Sequence, residues 1–387
     1  MSSSLENTDW SRRDYLRLFA CGASAAALSQ FPSAVQAATL PAEQGRLTLA
    51  QCQQLSPLDM AKSSQTAVAA YQFLQKSAEE IENPGLRQAV SQILQNPVPT
   101  VLARYRSDAD KERVRQQLID AHLLGVDVGI HQLFPPAKGA DQTPQPFLSA
   151  PGSGYTSHHA YPGGLSVHVA LNVRSSLGLY AGYGGTFGLK LSRDVVLASQ
   201  LLHDLHKPWV FQWKEDGGLL PEYTVAGTGD HHILSLAESI YRGLPAEVIV
   251  AQASAHDHPG SPADEAKTVG YLKAGAMIAG KDPIEIGLLG PDGNTVVLPR
   301  RIEGFITHIG DHDWIIAGPA NTWSTPLLEE IAMQDYAMTK ADIGTAKFNA
   351  FRNYVFSQTT MIGLHQLHCA AGKEGVRATV NALVAPV

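Results

Sequence analysis

Histidine recurs on the inward side of successive predicted helices in this chain, and that placement limits what the chain can fold into. Most of its 15 histidines fall between positions 158 and 312. His168 stands in the first turns of a helix, ahead of Val169, Ala170 and Leu171. His203 and Asp204 follow the apolar run VVLASQLL, His232 opens ILSLAESI, and His256 ends VIVAQASA. A lone imidazole in such a place is ordinarily a satisfied core residue. Four in series, with a carboxylate among them, demand partners, because each buried polar group left unpaired costs roughly 1–3 kcal/mol. Shared ligation of a divalent cation meets that demand in one step. Neutral imidazole and carboxylate suit Mn, Fe, Co, Ni or Zn, and no thiolate is on offer to select zinc or copper.

Helical periodicity extends over nearly the whole chain. Between 43 and 133, LDMAKSSQTAVAAYQFLQKSAEEI and PGLRQAVSQILQN carry apolar residues at three- and four-residue spacing. SDADKERVRQQLIDAHLLGVDVGIHQLF continues the pattern, with Ser107 as N-cap and acidic residues in the first turn. A polar, Pro-rich connector covers 135–154. Helices resume after Tyr161 and run through RRIEGFITHIGDHDWII to the C-terminal stretch 325–385. The best strand signal is EIGLLGPDGNTVVLP at 285–299, two β-branched runs around a turn, which reads as a small hairpin inserted between helices. The fold class is therefore mostly α.

Four sequence elements give this pattern a family likeness. LLHDLHK (201–207) resembles the L-H-D-[IL]-G-K signature of the HD superfamily of metal-dependent phosphohydrolases, with His206 in place of glycine. HHAYPGGLSVH (158–168) is similar to the H-H-x-[FY]-x-G-G-L-x-x-H element of the YhaM-like 3′→5′ exoribonuclease branch. EYTVAGTGDHHI (222–233) and SAHDHPGSPADEA (254–266) resemble two further elements of that branch. The likeness covers roughly 155–315, and His168, His203, His232 and His256 follow one another at intervals of 35, 29 and 24 residues. It implies an HD-domain helical bundle as the metal-binding core (155–318), to which the periodicity and composition add an N-terminal helical region (38–134), a linker or loop (135–154) and C-terminal helices expected to pack on the core (319–387). It also implies the ligands His168, His203, Asp204, His232 and His256, choosing His232 over His231. The family's last ligand, an aspartate, is displaced here: YLKAGAMIAG has only Lys273 near its usual place. Asp311 in FITHIGDHDW is the preferred substitute, with Asp313 and Asp282 as alternatives.

Residues 11–17, SRRDYLR, resemble the twin-arginine export signal and precede an alanine-rich apolar run too short and interrupted for a permanent membrane span. Small residues at Val35 and Ala37 suit cleavage after Ala37, so the expected location is the periplasm, reached through the twin-arginine machinery. Cys52 and Cys369 then remain, and the periplasm permits one disulfide between them without the spacing demanding it. The formal charge of -7 argues against general nucleic-acid binding, and the helical N-terminal region differs from the nucleic-acid module of the exoribonuclease relatives.

Six ligands are enough for one or two divalent ions with Asp204 bridging, and the expected reaction is hydrolysis of a small phosphomonoester, phosphodiester or nucleotide. Asp204 and Lys207 are the candidate catalytic residues, Lys207 as a point charge on a phosphate oxygen. His158, His159, His206, His231 and His258 are candidates for the pocket, and Gly163-Gly164 either brings backbone N–H groups to an anion or shapes the turn. Two other readings use the same ligands: a diiron oxygenase, as in a few HD relatives, and a non-catalytic binding protein stapled by its metal.

Overall fold

Side-chain caps start the helices at the beginning of the structure, a computed structural model that describes residues 46–387. The export motif and the cleavage position after Ala37 lie outside the described residues. Thr48 and Ser56 make capping boxes with Gln51 and Asp59, opening α1 (Leu49–Gln54) and α2 (Pro57–Ser63). Ser64 accepts from the Ala67 N–H and Asn83 from the Leu86 N–H at the starts of α3 (Gln65–Glu79) and α4 (Pro84–Gln95). A single 3₁₀ turn (Thr100–Arg104) leads to α5 (Asp108–Asp120) and the short α6 (Ile130–Leu133).

The central helices are α7 (Gly164–Phe187), α8 (Arg193–Leu202), α9 (Lys207–Val210), α10 (Asp230–Tyr241), α11 (Ala246–Ala253), α12 (Pro262–Ala279) and α13 (Ile302–Gly310). Then come α14 (Trp314–Asp335), α15 (Ala346–Thr359) and α16 (Met361–Leu383). Strands are vestigial. β1 (Leu47–Thr48) pairs in parallel with β4 (Val384–Ala385), tying the two ends of the described chain together, and β2 (Thr224–Val225) pairs antiparallel with β3 (Thr228–Gly229). The protein is mostly α, as the periodicity predicts.

α7 packs on α3, α8 and α13; α8 also packs on α11; and α10 lies along α12. Leu197, Ala198, Leu201, Ile233, Leu236 and Ile278 are among the fully buried residues of the core these helices share. No helix among the described residues is long and apolar enough to cross a membrane. Cys52 is buried and Cys369 exposed, and both are free thiols.

Two local details differ from the sequence expectation. The segment 285–299 is a run of turns with one isolated bridge, Leu289 to Val296, in place of a hairpin ladder. The helical pattern of RRIEGFITHIGDHDWII breaks after Gly310, separating α13 from α14. That break leaves Asp311 and Asp313 at helix termini, free to turn inward.

Glu238, buried on α10, fastens the N-terminal helices to the centre. Its carboxylate accepts from the Val101 N–H (2.9 Å), the Thr100 hydroxyl (2.5 Å) and Arg242 Nε (2.6 Å). His206 first, then Arg242 and the Thr100 hydroxyl, hold its pKa down at about 2 against the effect of burial. Glu238→Ala strands these donors, and the expected loss is about 3–5 kcal/mol of unfolding free energy in urea denaturation. A loss under about 1 kcal/mol contradicts the fastening role.

Candidate metal centre

The loop ahead of α7 is shaped by glycine. Gly163 caps the helix in the left-handed region at φ 89°, and a Cβ on Gly164 would approach the His159 carbonyl oxygen to 1.9 Å. The loop's amides serve the loop itself: Gly164 N–H donates to Tyr161 O (2.9 Å) and Gly152 N–H to His159 O (2.8 Å). The glycine pair therefore builds the turn, the second of the two readings above. One turn into α7, the same helix delivers His168 to the interior.

α8 begins on the side-chain cap of Ser192 and ends at Leu202, so His203 and Asp204 fall on the first residues beyond its regular turns. His203 Nδ1–H donates to the Gln200 carbonyl (2.7 Å), which leaves Nε2 facing inward. There His203 Nε2 lies 3.2 Å from Asp204 Oδ2 and 3.1 Å from Asp311 Oδ1; His168 Nε2 is 3.1 Å from each of the same two oxygens. His168, His203, Asp204 and Asp311 thus present four donor atoms within 4.8 Å of one another, all buried. Asn172, one turn after His168, donates to Asp311 Oδ1 (2.9 Å).

A second group shares Asp204. Its Oδ1 faces His231 Nε2 at 3.3 Å, and Asp204, His231 and His256 again bring donor atoms within 4.8 Å. Neighbours on a helix point about 100° apart, and of the adjacent pair it is His231, and not the expected His232, that faces Asp204. His232 instead donates from Nε2 to the Ala253 carbonyl (3.2 Å) and stacks on His256 with ring centres 4.1 Å apart. Burial pushes the His232 pKa down to about 3. The segment around β2 and β3 supports this half of the site: Glu222, just ahead of β2, accepts from His231 Nδ1, and the Thr228 hydroxyl on β3 lies 2.7 Å from His256 Nδ1.

Burial alone would strip charge from this cluster, and opposite charges outweigh it. His203 is raised to about 9 by the Asp204 and Asp311 carboxylates, and His231 to about 9 by Glu222 and then Asp204. Against the same burial, His203 holds both aspartates well below the usual carboxylate range, with Lys207 adding to the effect on Asp204. Lys207 Nζ sits 2.5 Å from Asp204 Oδ2. Yet neither oxygen of Asp204 nor Nε2 of His231 has a partner in hydrogen-bond geometry, although all three atoms are buried. Close but misdirected imidazole and carboxylate donors are what a divalent cation would satisfy, so the residues fit a metal, with the type of ion left open.

The remaining candidates separate by position. His158 is half-buried beside the cluster, its ring 5.0 Å from that of His168 and its Nδ1 3.1 Å from the Ser157 hydroxyl. His159 is buried behind His168 and meets Asp313. Asp313 itself faces Nδ1 of His168, on the opposite edge of that ring from the four-residue cluster. His206 is buried away from the centre, its Nε2 3.5 Å from Glu238 and its ring edge-on to Trp209. His258 packs on Phe305 and His308, outside both groups. Asp282 accepts from the amides of Ile284 and Glu285 and is consumed by its own turn. Sequence reasoning missed Glu222, Thr228 and Asn172. Glu222 had a signal in the quoted EYT element, whereas Thr228 and Asn172 had none.

No protein-family model matches the chain, and no solved structure matches it. A curated relative, the dihydroneopterin 2′,3′-cyclic phosphate phosphodiesterase of Methanocaldococcus jannaschii, is 31% identical over 184 residues. The alignment takes in 47% of this chain and spans 58% of the relative's length. The chain is thus a distant homologue of a phosphodiesterase, and its buried His/Asp cluster has the donor set for a divalent metal.

Proposed function

We propose that this chain is a metal-dependent hydrolase of a small phosphoric ester, with a cyclic phosphodiester as the first substrate class to assay. The observation that carries the reading is the position of Asp204, whose two oxygens face two different donor groups. His168, His203 and Asp311 stand on one side, and His231 and His256 on the other. A divalent cation pair held by these residues supplies Lewis acidity toward phosphoryl oxygens and brings the pKa of bound water near neutrality. The phosphodiesterase named above supports the reaction class, and the HD resemblance agrees with it.

The chain's own side chains account for binding and orientation. Gln200 O and Glu222 fix which nitrogen His203 and His231 turn inward. Lys207, buried beside Asp204, supplies a fixed positive charge for a non-bridging phosphate oxygen. His158 beside the cluster, kept neutral by burial and by the Lys207 charge, offers a hydrogen bond to the departing oxygen. The 11–17 motif supports export by the twin-arginine route with cleavage after Ala37. Fused to a folded reporter, residues 1–37 should deliver it to the periplasm, and replacing Arg12 and Arg13 by Lys should stop delivery. A reporter retained in the cytoplasm with the intact motif overturns the export reading.

Three outcomes are expected of the purified, metal-loaded protein. It hydrolyses a 2′,3′-cyclic phosphate or a related small ester, and His203→Ala or Asp204→Ala loses both metal and turnover. Lys207→Met keeps its metal while kcat/KM falls about 10²–10³-fold, the size of effect seen when one charge-stabilising donor is removed. Two bound irons with substrate-dependent O₂ uptake and no hydrolysis would overturn the proposal in favour of an oxygenase. Tight metal with no turnover of any class would instead favour a binding protein.

The metal-free protein has its own pH signature. His203 and His231 titrate near 9 in the folded state and near about 6.5 when unfolded. The stability they contribute is complete below about pH 6.5 and is lost as pH rises through about 9. Chelator-treated protein should therefore melt at a lower temperature at pH 9 than at pH 6.5. A cation must displace the same protons, so its affinity should climb over that interval with proton release in calorimetry. Affinity independent of pH would contradict ligation by these two imidazoles.

A further inference from the structure

Behind His168, on the side away from the four-residue cluster, three buried side chains form a chain of hydrogen bonds. Asp313 Oδ1 lies 2.8 Å from His168 Nδ1, and its Oδ2 lies 2.7 Å from His159 Nε2. His159 Nδ1 in turn lies 3.0 Å from the Tyr161 hydroxyl. Tyr161 and His159 are buried and Asp313 nearly so. The carboxylate can only accept, so both imidazoles donate to it, which leaves His159 Nδ1 to accept from the Tyr161 hydroxyl. Every polar atom of the chain is then used once, and one proton arrangement satisfies all of them. With a cation bound, that arrangement would keep the His168 proton on Nδ1 and leave Nε2, the nitrogen that faces Asp204 and Asp311, as the donor.

The backbone is bent to make this possible. His159 is held at φ 49°, in the left-handed region that residues other than glycine rarely adopt. Gly152 and Gly164 leave room for it: a Cβ on Gly152 would fall 2.5 Å from the His159 Cβ. A strained residue kept in place by glycines on both sides points to a positioning task. Arg352 secures the loop from the other side, donating to Ala160 O (2.9 Å) and Tyr155 O (2.8 Å).

We propose that Asp313 and His159, steadied by Tyr161, are positioning residues that orient His168 and select Nε2 as its metal donor. The proposal rests on the reading of the His/Asp cluster as a metal centre. Asp313 is therefore not a ligand, although it stands two residues from Asp311.

The test titrates chelator-treated protein with Co²⁺, following affinity, stoichiometry and the cobalt absorption bands. Asp313→Ala should weaken binding about 10–100-fold, the usual cost of removing an outer carboxylate from a ligating histidine. His159→Ala should weaken it by less, and the double variant by no more than Asp313→Ala alone, since both act through one chain. Stoichiometry and cobalt bands should match the wild type. Asp313→Asn, nearly isosteric, gives an intermediate loss and guards against a folding defect in the alanine variant. Loss of a whole equivalent of cobalt with altered bands in Asp313→Asn would make Asp313 a ligand and overturn the proposal. Additive losses, or none, would overturn it as well. If the wild type takes up cobalt, His203→Ala does not, and Asp313→Ala binds normally, this proposal alone fails. If the wild type takes up no divalent ion, the metal reading fails and takes the proposal with it.

Discussion

Asp204 and Asp311 are buried carboxylates, exposed by only 1% and 6% of their surface, and both remain ionised. Removing a carboxylate from water costs several kcal/mol unless opposite charge replaces the solvent. Here His168, His203, His231 and Lys207 replace it at 2.5–3.3 Å. The requirement explains the course of the central helices. α8 ends as its histidine and aspartate arrive, α10 begins at its histidine, and α13 breaks at its aspartate. Helix termini suit this, because a side chain there escapes the rows of a regular helix and can turn across the axis.

The N- and C-terminal helices belong to this arrangement. Glu238 ties the 3₁₀ turn at 100–104 to α10, the helix that carries His231. From the other end of the chain, Arg352 on α15 is fully buried, held by the Tyr155 and Ala160 carbonyls and by the Tyr155 ring 4.1 Å away. Asn321 on α14 donates to Ser157 O (2.6 Å). These contacts grip the loop 155–160 that bears His158 and His159. The N- and C-terminal helices therefore frame the helices that carry the His/Asp cluster, which agrees with residues 46–387 clustering as one unit.

Much of the centre was legible as pattern. Apolar spacing marked the helices, and the intervals between His168, His203, Asp204 and His256 brought them into the two donor groups. Asp311 was preferred over Asp282 on its context, and the structure leaves Asp282 in a local turn. That the structure turns His231, and not the expected His232, to Asp204 is a difference at the resolution where pattern reading is weakest. Two adjacent histidines at the start of a helix share every statistical preference, and a rotation of about 100° decides between them. Glu222, two residues ahead of β2, accepts from His231, and the β2–β3 pair that it leads into is too short to leave a strand signal.

The chain by itself determined the helical class, the series of inward histidines and the need for a shared partner, because these follow from periodicity and from the cost of burying unpaired polar groups. Only the tertiary structure decided which nitrogen of each imidazole faces inward, that Asp204 stands between two donor groups, and that Asp313 lies behind His168 while Asp311 lies in front. For His168 and Asp311 those choices depend on hydrogen bonds between residues more than a hundred positions apart, His168 with Asp313 and Asn172 with Asp311. Local sequence carries no record of the angle at which two helix ends meet, and that angle is what sorts neighbouring carboxylates into different roles.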